Sequence, residues 1–202
     1  MSSPSKSQSS PGFLQPKDMI TVGVFTALYF VMYFLAGMLA FVPALVVVAP
    51  LVDPLITGIP FMLFLTKVKS FGMVTVMGLL LGILFFFGMQ NWMSIPIGFA
   101  CGLAADLVLK SGDYRGWRTS VLGYALFSQW AISAVIPLFL MRDAYFSQVR
   151  EGWGDAYADS LLAMTPDWLL GAMVVMIFVG AVAGAYLGRA VLRKHFKRAG
   201  IA

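Results

Sequence analysis

The amino-acid sequence predicts an all-α integral membrane protein, a bundle of six transmembrane helices with both termini in the cytoplasm. Three observations carry that prediction. Of the 202 residues, 60% are hydrophobic and 11% are charged, against about 25% charged in an ordinary soluble domain. The hydrophobic residues gather into runs of about 20, the length an α-helix needs to cross the hydrocarbon of a bilayer. Finally, twelve of the fourteen Lys and Arg residues fall on alternate sides of those runs. Lys6 and Lys17 precede the first run, and Lys67 and Lys69 follow the second. Lys110, Arg115 and Arg118 follow the fourth, and Arg189, Arg193, Lys194, Lys197 and Arg198 end the chain. Cytoplasmic loops carry the cation excess of membrane proteins, so these turns and both tails are expected on the inner side of a prokaryotic plasma membrane. Only Arg142 and Arg150 break the alternation, in a longer connection that also holds Asp143, Glu151, Asp155, Asp159 and Asp167.

Taken in order, residues 1–16 are rich in Ser and Pro and read as a disordered cytoplasmic tail. The membrane domain is expected over 17–193, followed by a basic tail over 194–202. The first span, about 19–41, is opened by Asp18 and closed by Pro43. The second, about 44–66, is interrupted by Pro50, Pro54 and Pro60 and carries Asp53 near its middle. Broken helices are tolerated at membrane depth only where the freed backbone is buried in protein or faces water, so this segment is not a simple lipid-facing helix. The third and fourth spans are about 71–88 and 92–109, joined by a polar external turn at Gln90 and Asn91. The fifth, about 119–141, contains Gln129 and Trp130. In the connection that follows, Tyr145, Val149, Trp153, Tyr157 and Leu161 recur every four residues, which predicts an amphipathic segment weakened by Gly152 and Gly154. Thr165, Pro166 and Asp167 form a helix start for the sixth span, about 167–192.

Six spans leave no room for a separate catalytic or nucleotide-binding module. The formal charge of +5 is dispersed over turns, where topology accounts for it without nucleic acid. Cys101 is the single cysteine and His195 the single histidine, the latter in the basic tail. No disulfide, Ser–His dyad or His-based metal site is therefore expected at membrane depth. No zinc-protease or phosphate-binding-loop motif occurs. The chain reads as neither an enzyme nor a holder of metal or cofactor.

Asp53 is the acid deepest in a span, and an intramembrane carboxylate marks a functional hypothesis by default. A contact to a ligand amine, a proton or cation site, and a structural partner for the broken helix all fit it. Asp106, four residues before Lys110, reads as an i,i+4 ion pair. Gln90, Asn91, Trp92, Gln129, Trp130, Arg142, Tyr145 and Trp168 supply the polar anchors and aromatic walls of a small-molecule site in the outer half, with Tyr145 and Trp153 in a lid. An interfacial aromatic belt accounts equally for Trp92, Trp153 and Trp168. Small residues recur at four-residue spacing, as Gly180, Gly184 and Gly188 on the last span, Gly23 and Ala27 on the first, Gly78 and Gly82 on the third, and Gly98 and Gly102 on the fourth. Such stripes let helix backbones approach closely, within the bundle or, for Gly23 and Ala27, against a partner.

The stretches KDMITVGVFTALYFVMYF (Lys17 to Phe34) and ITGIPFMLFLTKVKSFG (Ile56 to Gly72) resemble the Trep_Strep, or MptD-like, group of substrate-binding S components of energy-coupling factor (ECF) transporters, and the likeness extends over nearly the whole chain. The resemblance implies a subunit that captures a vitamin or cofactor-like molecule in an outward-facing pocket. It implies docking through the first helix on a transmembrane T component driven by two ABC-type ATPases, which alone use ATP. The docking motif of that family is AxxxA. Here Gly23 and Ala27 occupy its positions, with glycine in place of the first alanine. A scaffold subunit of a cell-shape assembly and a small secondary transporter are the alternatives the sequence leaves standing.

Overall fold

The structure is a computed structural model and describes residues 14–68, 70–89 and 91–198. Most of the tail 1–16, Gln90 and the last residues of the basic tail lie outside them. All regular structure among the described residues is helical. In order come α1 (Pro16–Gly37), continued by a 3-10 turn over Met38–Phe41, α2 (Pro43–Val46), α3 (Ala49–Leu65), α4 (Met73–Met89) and α5 (Ser94–Ser111). Then follow α6 (Trp117–Ser128), a 3-10 turn over Gln129–Ala131, α7 (Ile132–Leu140), α8 (Arg142–Trp153), α9 (Asp155–Met164) and α10 (Leu169–Arg198). Four stretches are long and apolar enough to cross a membrane: Pro16–Phe41, Ser94–Ser111, Trp117–Leu140 and Leu169–Lys194. Helices α3 and α4 are apolar but shorter, at 17 residues each, or about 25 Å at 1.5 Å per residue.

The second apolar run differs from one continuous span. A short turn, α2, precedes α3, and α3 then continues straight through Pro54 and Pro60. These prolines remove amides that would bond the carbonyls of Pro50 and Ile56, and the helix is held by its neighbours instead. Gly180, Gly184 and Gly188 of α10 lie directly against α3: a Cβ on Gly180 would strike the Leu51 carbonyl, one on Gly184 the Pro54 carbonyl, and one on Gly188 would sit 2.6 Å from the Gly58 carbonyl oxygen. A second close pair joins α4 to α5, with Gly78 on Gly98, Gly82 on Ser94 and Gly102 on Thr75. Ser94 adds a hydroxyl bond of 2.7 Å to the Gly82 carbonyl.

One end of the bundle gathers the basic turns. Lys110 lies over the Phe71 ring at 5.0 Å and Arg189 over Trp117 at 4.1 Å, both within range of the attraction between a cation and an aromatic face. The expected Asp106–Lys110 ion pair does not form. Asp106 is fully buried and accepts instead from Gly72 N at 2.9 Å, Thr75 N at 2.9 Å, Thr75 Oγ1 at 2.8 Å and the Tyr114 hydroxyl at 3.0 Å. It thereby caps the start of α4, where unpaired amides and the helix dipole favour an anion, and ties down the turn after α5. Burial, and then the Asp106 charge, push the Tyr114 phenol well above its ordinary value, so it stays a donor through the neutral range. The bond also holds Tyr114 at φ +56, a left-handed conformation that non-glycine residues seldom adopt. Asp106→Asn is expected to lower stability by about 2–3 kcal/mol, the scale of losing charge-assisted bonds, read as an earlier thermal transition in detergent.

The long connection forms two helices where the sequence suggests one weakened segment. Gly154, at φ +83, separates α8 from α9. Phe146 and Val149 of α8 and Ala158 and Leu161 of α9 pack with Leu138 into a small core separate from the main one, with Val46 against it. The predicted stripe is largely kept: Val149 and Leu161 are buried in this core and Tyr145 and Tyr157 pack against it, Phe146 joins them, and only Trp153 is half exposed, its ring 5.4 Å from that of Phe41. The start of α10 also differs. Thr165 Oγ1 bonds back to the Leu161 carbonyl at 2.8 Å, closing α9 rather than capping α10.

Candidate functional site

In the middle of the bundle a set of polar side chains meets in an otherwise apolar interior. Each pair that supplies it sits four residues apart on its helix: Tyr29 and Tyr33 on α1, Asp53 and Thr57 on α3, Tyr124 and Ser128 on α6. That spacing puts both members on one face. Thr57 Oγ1 lies 2.8 Å from the Asp53 carbonyl, 3.2 Å from the Tyr29 hydroxyl and 3.0 Å from the Tyr124 hydroxyl. The Tyr124 hydroxyl donates to the Pro54 carbonyl, and Trp130 Nε1 donates to the Tyr29 hydroxyl at 3.3 Å. The proline-bearing stretch of α3 is thus bonded by the Tyr124 side chain from α6.

Asp53 stands apart within this set. Its side chain is in the interior, with the residue only 7% exposed, and Oδ1 has no hydrogen-bond partner. The hydroxyls of Ser128 and Ser133 are likewise buried and unpaired. A buried polar atom without a partner costs about 1–3 kcal/mol, more if it carries charge, and natural structures contain few. The rings of the same core form a connected group: Tyr33 to Trp130 at 4.7 Å, Phe85 to Trp130 at 6.0 Å, Tyr33 to Phe85 at 6.2 Å and Tyr29 to Trp130 at 6.3 Å.

The residues expected to line one outer site are not brought together. Trp130 is fully buried in the main core, where indole area is hidden on all sides. Trp92 is 60% and Trp168 71% exposed, on the surface of the bundle. Asn91 donates to the Ser133 carbonyl and accepts from Met93 N at 3.2 Å, pinning the α4–α5 turn to α7. Gln129 reaches the Ala125 and Val174 carbonyls only at 3.5 and 3.4 Å. Arg142 pairs with Asp167 at 2.8 Å and donates to the Thr165 carbonyl at 2.8 Å, so it bolts the start of α8 to the start of α10. Asp143, its sequence neighbour, is not the partner. Gln90 lies outside the described residues, and Tyr145 is partly buried beside the small core. Of the predicted set, Asp53 and Trp130 belong to the interior cluster. Tyr29, Tyr33, Thr57 and Tyr124 belong to it as well and were legible only as polar i,i+4 pairs inside apolar runs.

On α1, a Cβ added at Gly23 meets nothing within 4 Å, and Ala27 is exposed. Only 22% of the apolar stretch of α1 is buried, against 50% for Trp117–Leu140.

These features define an integral membrane protein of several apolar helices, its interior holding a small polar cluster. Residues 16–198 match the family model described as a hypothetical bacterial integral membrane protein (Trep_Strep), and the chain belongs to that family. Neither a curated protein nor a solved structure matches it.

Proposed function

We propose that the chain is the substrate-binding subunit of an ATP-driven importer of the energy-coupling factor type, crossing the membrane six times with its basic end inside and performing no chemistry of its own. The observation that carries this reading is the contrast between glycine stripes. Those of α10, α4 and α5 are filled by a neighbouring backbone, whereas Gly23 and Ala27 of α1 face outward with nothing against them. In lipid, helices associate through such close approach, and an unfilled small-residue face on the most exposed long helix fits a partner's transmembrane helix. The resemblance of Lys17 to Phe34 and of Ile56 to Gly72 to S components names that partner as the T component, itself bound to two ABC-type ATPases. The cargo of such a subunit is a vitamin or cofactor-like small molecule.

The test is recovery of partners through a tag on the C-terminal tail after mild detergent extraction of native membranes, with mass spectrometry of proteins and small molecules. A T component and two ABC ATPases are expected. Recovery of cell-shape proteins alone would replace this reading with the scaffold.

A further inference from the structure

We propose that the interior cluster around Asp53 is a binding site for an organic ammonium ion, the protonated or alkylated amine of a small molecule. That this ion is the imported cargo rests on the capture reading above; the site itself does not.

Three observations converge on this chemistry. The first is the unpartnered Oδ1 of Asp53, in a residue 7% exposed. Carboxylates at membrane depth pair with one another, with backbone or with a cation, because isolation there is costly. The second is that the bundle supplies no cation of its own. No Lys or Arg occurs between Lys17 and Lys67, between Lys69 and Lys110, or between Arg118 and Arg142. The described ion pairs all belong to Arg142 and Arg150, in the α8–α9 region. Among the described residues, none of these ion pairs includes Asp53. The third is the aromatic group reached through Thr57, one turn along α3 from Asp53: Thr57 meets the Tyr29 hydroxyl at 3.2 Å, and Tyr29, Tyr33, Phe85 and Trp130 form a connected set of rings with centroids 4.7 to 6.3 Å apart.

Aromatic faces attract organic cations, and rings grouped with a carboxylate are the usual means of holding an ammonium. A hard metal ion takes instead six or more oxygen ligands, and the Asp53 surroundings offer few that are not already bonded. Ser128, one turn along α6 from Tyr124, adds a buried unpaired hydroxyl suited to an ammonium N–H group. Asp53 lies one turn into α3, at the end where α2 packs on α9.

The experiment uses the full chain in mild detergent and follows its thermal transition. Benzylammonium chloride is the probe, benzyl alcohol its neutral counterpart of similar size, and sodium chloride at equal ionic strength the inorganic cation. A saturable upward shift with benzylammonium alone is expected. Asp53→Asn, which keeps the shape and removes the charge, should weaken that response about tenfold or more, as should Tyr33→Leu, which removes a ring and no hydrogen bond. If Asp53→Asn does not fold, Tyr33→Leu carries the test. An equal shift with benzyl alcohol, a shift of the same size with sodium, no saturable shift with benzylammonium, or an unchanged response in both variants overturns the proposal. The two readings separate cleanly. A wild-type chain that binds benzylammonium yet recovers no T component or ATPase keeps the site and loses the importer. One that recovers those partners without binding the probe does the reverse.

Discussion

Gly184→Leu is expected to prevent the native bundle from forming. A Cβ at this position already strikes the Pro54 carbonyl, with Leu55 Cα 3.0 Å away, and backbone does not rotate aside as a side chain would. Forcing groups into a packed interior costs about 1–3 kcal/mol where side chains adjust. Here α3 and α10 have to separate along their length, so the loss exceeds that range. Size-exclusion profile and thermal transition in detergent check this; a monodisperse variant with an unchanged transition would mean the α3–α10 contact is looser than drawn. Gly184→Ala, with only the Cβ added, should show a smaller loss of the same kind.

Gly23→Leu makes the opposite test. With nothing within 4 Å of its Cβ direction, the isolated chain should fold and melt as before, within about 0.5 kcal/mol as for an ordinary surface change. Recovery of the T component and ATPases should nevertheless fall to background, because a bulky side chain keeps the two backbones apart. Ala27→Leu is expected to act alike. A variant that melts early would place Gly23 in an internal contact, and one that recovers its partners in full would remove α1 as the docking face.

The apolar helices were legible because they follow from composition. Long apolar runs leave few arrangements other than membrane helices, and the glycine spacing on the last span points to a close neighbour. Which neighbour was not legible, since Gly184 meets Pro54 and Gly58 through a distance in sequence that no local pattern encodes. Asp106 shows the same limit: an acid four residues before a lysine suggests a pair, but the start of α4 offers it three donors at once and wins. The residues read as one outer site fall in separate surroundings for a related reason. Aromatic and amide residues near span ends look alike whether they line a pocket or face lipid, and Trp130 was distinguishable only by the Tyr29 hydroxyl waiting for its indole. The interior cluster was half visible, through Asp53; its tyrosines passed as ordinary apolar surface.

The pairing of α3 with α10 bears on how the chain is made. Gly58 and Gly184 lie against each other but are separated by 184 − 58 = 126 residues, whereas Gly78 meets Gly98 after only 20. At about 5–20 residues per second of synthesis, α3 waits roughly 6–25 s for its partner to emerge. Throughout that interval a short helix with two interior prolines and a carboxylate sits beside the translocation machinery with the face that receives the α10 glycines uncovered. Stalled ribosome complexes truncated before residue 169 should therefore hold α3 crosslinked to insertion factors, and release it once α10 is complete.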